Sequence, residues 1–230
     1  MIKSRMSKEQ WGELFSLAKH GHTLWDGTAS DPHNPLHAHT TAWQFVNYAK
    51  EFGFFKKGDK ILDLGCGNGR FAIPFSEMDL TYEGTDPMEE CIDFCKTTFK
   101  PFPHLRFTHT PIHSPEYGLF GDTTSENYRI DHDNETFDNV IVYSVFTHLQ
   151  TLPAATNYAN EVIRVLKPKG RLFCTWYRSP PNKSPDTFIG RTVYNEWDIM
   201  TMLKGFEFLH TYGGHTDAYY DQWALFCVKS

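Results

Sequence analysis

At 230 residues the chain has room for one sizeable α/β domain with additions, and 40% hydrophobic with 22% charged residues is the composition of a globular protein. A net charge of −6 with a pI near 6.0 argues against a general nucleic-acid binder, which carries a basic face. Cysteines at 66, 91, 95, 174 and 227 are odd in number, so they frame no disulfide scaffold. Cys91 and Cys95 have helix spacing and no companion pair, so no zinc site is expected, and a reducing, cytoplasmic setting fits.

The opening MIKSRMSKEQWGELF has no long apolar run, so neither a signal peptide nor a membrane span is expected. Ser7 with Gln10 reads as a capping box that opens a helix through about His20, with Gly21 as its stop. A polar loop rich in Pro and His follows. A second helix is expected from near Thr41, boxed by Gln44, with Ala42, Phe45, Val46 and Ala49 as its apolar stripe. Residues 1–57 therefore read as an N-terminal helical cap and 58–230 as the main domain.

From Lys60 the rhythm becomes strand, glycine loop, helix, strand, helix, which predicts a doubly wound, mostly parallel sheet with helices on both faces. Strands are expected near Lys60–Leu64, Thr81–Gly84, Leu105–Thr108, Asp138–Tyr143 and Arg171–Thr175. Helices are expected at Arg70–Glu77, Pro87–Phe99, Pro153–Leu166 and Glu196–Lys204, and Asp86 before Pro87 reads as an N-cap. Two closing strands, Phe206–Thr211 and Gln222–Val228, bring the count to seven. The stretch 110–135 is long for a crossover and reads as a binding loop or an excursion, and with the insertion at 177–192 it could build an enclosed pocket.

The sharpest signal is Ile61-Leu-Asp63-Leu-Gly65-Cys66-Gly67-Asn-Gly69-Arg70. A buried strand ends in a carboxylate, and alternating glycines then let the main chain turn tightly and a ligand approach it. Asp86 ends the next strand, where a carboxylate can accept both ribose hydroxyls of an adenosine. Nicotinamide enzymes normally read G-x-G-x-x-G, whereas this loop reads G-x-G-x-G, and an acid at Asp63 is unwelcome beside a pyrophosphate. The same acid suits S-adenosylmethionine, which carries a sulfonium and an ammonium and no phosphate. A nicotinamide-dependent oxidoreductase and a non-catalytic binding protein on the same fold stay open as alternatives.

ILDLGCGNGR resembles motif I of class I S-adenosylmethionine-dependent methyltransferases, YEGTD their ribose-binding strand end, FDNVIVYSVFTHL their fourth strand with its loop, and LKPKGRLFCTW the entry to their fifth. The resemblance implies a seven-stranded sheet with an antiparallel last strand and S-adenosylmethionine as cofactor. It implies that Gly65, Cys66 and Gly67 touch the methionine end and that Asp86 takes the ribose. Pro87 and Met88 would lie beside the adenine, Pro111 and Ile112 would cover its other face, and Tyr143 and Ser144 would lie near the sulfonium. Many members place an aspartate after the third strand for the adenine amino group. Here the chain reads Thr110-Pro111-Ile112-His113, so adenine recognition must lean on backbone groups and packing.

The acceptor side is sought in loops at the carboxyl ends of the strands. His148, in Ser144-Val-Phe-Thr-His148-Leu, is the first candidate base, since a histidine suits a hydroxyl or ammonium acceptor. That stretch also resembles sugar N-methyltransferases; packing against the next helix is its structural alternative. His113 is the second candidate. Arg178, after Trp176 and Tyr177, could hold an anionic group of the acceptor. Trp25, Asp26, His37 and His39 could close the site from the N-terminal side, and His215, Tyr219 and Tyr220 could line the acceptor pocket. An Asn-Pro-Pro-Tyr motif, the mark of adenine or glutamine-amide acceptors, is replaced by Tyr143-Ser-Val-Phe. The expected acceptor is a small polar metabolite, such as a sugar or nucleotide-sugar, with no nucleic-acid or membrane partner, and the protein a monomer or homodimer.

Overall fold

The computed structural model describes residues 35–114, 118–180, 183–188, 191–213 and 222–230. The expected first helix, and Trp25, Asp26, His215, Tyr219 and Tyr220, lie outside these. The described chain forms two compact units that meet in sequence between Thr110 and Pro111.

The first unit begins with helix α1, Pro35–Glu51. It is helical six residues' worth of chain earlier than Thr41, because Pro35 fits a helix start and nothing between it and Thr41 breaks the helix. Ala42, Val46 and Ala49 form its buried stripe, with Phe45 half-buried at the edge. Strands β1 (Lys60–Leu64), β2 (Thr81–Asp86) and β3 (Leu105–His109) then pair in parallel. Ile61 to Leu64 are all buried, as a strand covered on both faces requires. The expected helix at Arg70–Glu77 shortens to α2, Ala72–Phe75; Pro74 within it has no N–H to give to Arg70 O, so the ladder cannot begin at Arg70. Helix α3 spans Glu89–Thr98.

Part of the high aromatic content is spent in a chain of rings through this unit. Phe55 meets Phe75 at 4.9 Å between centroids, Phe75 meets Tyr82 at 5.5 Å, Tyr82 meets Phe107 at 5.7 Å and Phe107 meets Phe99 at 5.3 Å. Offset and edge-on pairs of this kind stabilise beyond the area they bury.

In the second unit β6 (Phe137–Val142) runs parallel to β7 (Leu166–Arg178). The last strand, β11 (Gln222–Lys229), is antiparallel both to β7 and to β10 (Phe206–Gly213), as expected. Helix α4, Leu152–Val165, is capped by Thr151, whose Oγ1 accepts from Ala154 N at 3.2 Å. A last helix, α5 (Glu196–Met202), is capped by Asn195, which accepts from Asp198 N at 2.9 Å.

Neither long loop is structureless. In the first, β4 (His113–Ser114) pairs antiparallel with β5 (Leu119–Phe120). The following segment is fastened to one face of α4. Asn157 donates to Ser125 O and Tyr128 O, Glu161 accepts from Ile130 N, and Arg164 donates to Ile130 O and His132 O. Spacings of three and four residues place all three side chains on the same helix face. In the second, β8 (Asp186–Phe188) pairs antiparallel with β9 (Arg191–Tyr194), and β9 runs alongside the end of β7. Among the described residues no helix is long and apolar enough to cross a membrane.

Candidate active site

The glycine loop is tied to the end of β2 by its own main chain. Gly65 N and Cys66 N both donate to Thr85 O, at 2.8 and 2.9 Å. Gly67 N donates to Asp86 Oδ2 at 2.8 Å, linking the loop to the expected ribose acid. Gly65, Gly67 and Gly69 all have positive φ (80°, 53° and 79°), the left-handed region that side chains disfavour. Alternating glycines are therefore a requirement of the turn itself.

Asp86 holds the loop after its own strand as well. The residue at the cap position of α3 is Met88, which makes no side-chain capping bond. Asp86 instead accepts from Met88 N through Oδ1 at 2.9 Å, two residues ahead, so the expected N-cap is an Asx-type turn. Each oxygen thus keeps a lone pair for a ligand. Burial pushes the Asp86 carboxyl above its ordinary range, opposed by the Met88 and Gly67 N–H groups and by His109. His109, which the sequence reading passed over, pairs with Asp86 in register, and its Nε2 lies 3.1 Å from Pro87 O. It braces the turn that carries Pro87 and Met88.

Asp63 is 1% exposed. Its Oδ2 accepts from the Tyr82 hydroxyl at 2.7 Å, while Oδ1 is buried with no hydrogen-bond partner among the described residues. Burial pushes this carboxyl up to about 7, against the Tyr82 hydrogen bond. A buried carboxylate oxygen without a donor is costly, and a cationic ligand relieves that cost. Cys66 is buried, and burial pushes its thiol well up, so it stands beside Gly67 O as a protonated thiol.

The second unit holds the other expected positions. Ser144 follows β6 with φ +62°, unusual for a residue with a side chain. Its N–H donates to Thr175 Oγ1 at 2.8 Å, and Thr147 Oγ1 donates back to Ser144 O at 2.9 Å. This holds the short 3-10 turn Phe146–His148 in place. Tyr143 is half-buried, with its ring 6.1 Å from that of Phe173. Nη1 of Arg191 lies 2.9 Å from Nδ1 and 2.5 Å from Nε2 of His148. Sequence reasoning missed Arg191 because the β8–β9 ribbon that delivers it read as a loop.

His113 sits in β4, edge-on to Phe120 at 6.0 Å, and Phe120 is 81% exposed. Pro111 and Ile112 lie against Gly121, where an added Cβ would meet their backbone at 2.8 Å. Tyr177 is buried at the end of β7, and Arg178 follows it opposite Tyr194. His37 and His39 fall within α1.

Residues 36–225 match a family described as a methyltransferase domain. The mitochondrial ubiquinone biosynthesis O-methyltransferase of Homo sapiens is 30% identical over 150 residues, covering 64% of this chain and 36% of that protein. The N-methyltransferase NodS of Bradyrhizobium japonicum WM9, in complex with S-adenosylhomocysteine, aligns with a TM-score of 0.60 at 14% identity, over 83% of this chain and 86% of that one. The 4+2 cyclase SpnF aligns with a TM-score of 0.67 at 15% identity, over 97% of each chain. At such identities the structures share the fold, and this fold hosts more than one reaction. The chain covers 47% and 36% of the length of two curated relatives that it matches.

Proposed function

We propose that this chain, which belongs to the methyltransferase-domain family, binds S-adenosylmethionine and transfers its methyl group to a hydroxyl of a small polar acceptor. The observation that carries the cofactor half is the glycine loop pinned to Asp86, with the buried Asp63 oxygen beside it in sequence. Asp63 suits an ammonium and repels a phosphate, and the family match over residues 36–225 separates this reading from the nicotinamide alternative. The ubiquinone O-methyltransferase similarity favours a hydroxyl acceptor. The likeness of the Ser144–Leu149 stretch to sugar N-methyltransferases supports a sugar or nucleotide-sugar as the acceptor class.

When bound, S-adenosylmethionine supplies an electrophilic methyl carbon, so the protein's tasks are orientation and proton management. Gly65, Gly67 and Asp86 fit the binding of methionine and ribose groups, and by resemblance Met88, Pro87, Pro111 and Ile112 flank the adenine. Tyr143 and Ser144 are assigned to the sulfonium side on the same ground. His148 takes the acceptor's proton. The Arg191 guanidinium lies beside the ring, with Nη1 2.9 Å from Nδ1. The same guanidinium can stabilise the oxyanion that forms as the hydroxyl ionises.

The test is transfer of labelled methyl from S-adenosylmethionine to a panel of hydroxyl and amine acceptors. For the acceptor that is turned over, His148→Ala is expected to lower kcat by about 100-fold while leaving S-adenosylhomocysteine affinity intact. An unchanged kcat removes His148 as the base.

A further inference from the structure

We propose that Tyr82 is a positioning residue of the cofactor site: it holds one oxygen of Asp63 and thereby leaves the other, buried and without a partner among the described residues, for the ligand's ammonium. This rests on the S-adenosylmethionine reading above and names how that site selects a cationic amino-acid end.

The geometry is local to β1 and β2. In the parallel register Asp63 lies beside Gly84, and Tyr82 lies two residues earlier on β2, so both side chains share one face. Glycine at 84 leaves the space that a side chain there would take: an added Cβ would meet Cys66 Sγ at 2.8 Å. The buried Tyr82 ring packs against Phe75 and Phe107, at 5.5 and 5.7 Å between centroids. Its hydroxyl therefore has a fixed direction, and it donates to Asp63 Oδ2 at 2.7 Å. A fully buried ring in contact with two phenylalanines behaves as a strut. It spends one oxygen of the carboxylate and fixes the carboxyl plane, so the remaining oxygen is presented in a single orientation.

Tyr82 and Arg70 favour the ionised form of Asp63, and Asp86 together with burial opposes it. The carboxyl therefore stands near half-ionised at neutral pH in the free protein. A ligand ammonium needs the carboxylate, so binding draws Asp63 to its ionised form and releases the proton to buffer. Affinity for such a ligand falls as pH drops below about 7. A ligand with the same adenosine but no amino-acid end has no such coupling.

The experiment compares S-adenosylhomocysteine with 5′-methylthioadenosine, which lacks the ammonium and carboxylate, by calorimetry on the wild-type protein and Tyr82→Phe. Phenylalanine keeps the ring contacts and removes only the hydroxyl. Tyr82→Phe is expected to weaken S-adenosylhomocysteine by about tenfold at pH 7 and to change methylthioadenosine by less than about twofold. Equal loss for both ligands makes Tyr82 merely structural and overturns the proposal, as does no loss for either. Wild-type protein supplies an arm that does not depend on the variant folding. Between pH 8 and pH 6 its preference for S-adenosylhomocysteine over methylthioadenosine should fall by about tenfold. A constant preference overturns the proposal. Wild-type protein that binds neither ligand contradicts the cofactor reading itself.

Discussion

Asp86→Ala is expected to lose S-adenosylhomocysteine affinity by more than about 100-fold. Two effects combine. The ribose would lose its acceptor pair, and hydrogen bonds to a charged group contribute about 1.5–3 kcal/mol each. The glycine loop would also lose its anchor, because Gly67 N and Met88 N both donate to this carboxylate. Those donors are left to find other partners, which allows the turn to drift from the geometry a ligand needs. Removal of a carboxyl held above its ordinary range by burial offsets part of the damage to stability, so the variant should fold. Asp86→Asn separates the two contributions: it restores one acceptor and places an amide N–H against a backbone N–H. Its affinity should fall between those of the wild type and the alanine variant. Calorimetry that gives Asp86→Ala an affinity within about threefold of wild type rejects the ribose assignment.

The second large effect is on stability. Gly69→Ala is expected to destabilise the protein by about 2–5 kcal/mol, the sum of left-handed backbone strain and overpacking. At φ +79° an alanine is strained, and its Cβ would stand 2.7 Å from Phe99 Cε2 and 3.1 Å from Cys95 Sγ. Phe99 is 2% exposed and stacked on Phe107, so it has little room to move. Gly58→Ala is the matched control. Its φ of +83° imposes similar strain, but nothing lies within 4 Å of the added Cβ. Thermal melting should therefore show a drop on the order of 10 °C for Gly69→Ala and clearly less for Gly58→Ala. Equal drops would mean that the contact with Phe99 contributes nothing.

What could be read in advance was whatever is local in sequence. The glycine loop, the acid at the end of each of the first two strands and the helix opening at Pro153 each declare themselves within a few residues. Strand positions followed because buried parallel strands are short continuous apolar runs. What failed to show was non-local. Asp86 was read as a helix cap because Pro87 and Glu89 follow it, yet one of its bonds goes back to Gly67 on another element. Tyr82 could have been found, since a parallel register that sets Asp63 beside Gly84 puts Tyr82 on the same face. No sequence pattern announced Arg191, because its place against His148 depends on the β8–β9 ribbon adding to the end of β7. The fastening of residues 125–134 to α4 was hidden for a similar reason. Asn157, Glu161 and Arg164 look like an ordinary solvated helix face until a second segment arrives to be bonded.

The cofactor is the central claim, and thermal melting of the pure protein with S-adenosylmethionine, S-adenosylhomocysteine, NAD and NADP, each in excess, tests it most directly. A ligand that binds only the native state raises the melting temperature. Stabilisation by the two adenosyl-sulfur compounds, with none from NAD or NADP, is the expected result; stabilisation by a nicotinamide dinucleotide alone would contradict it.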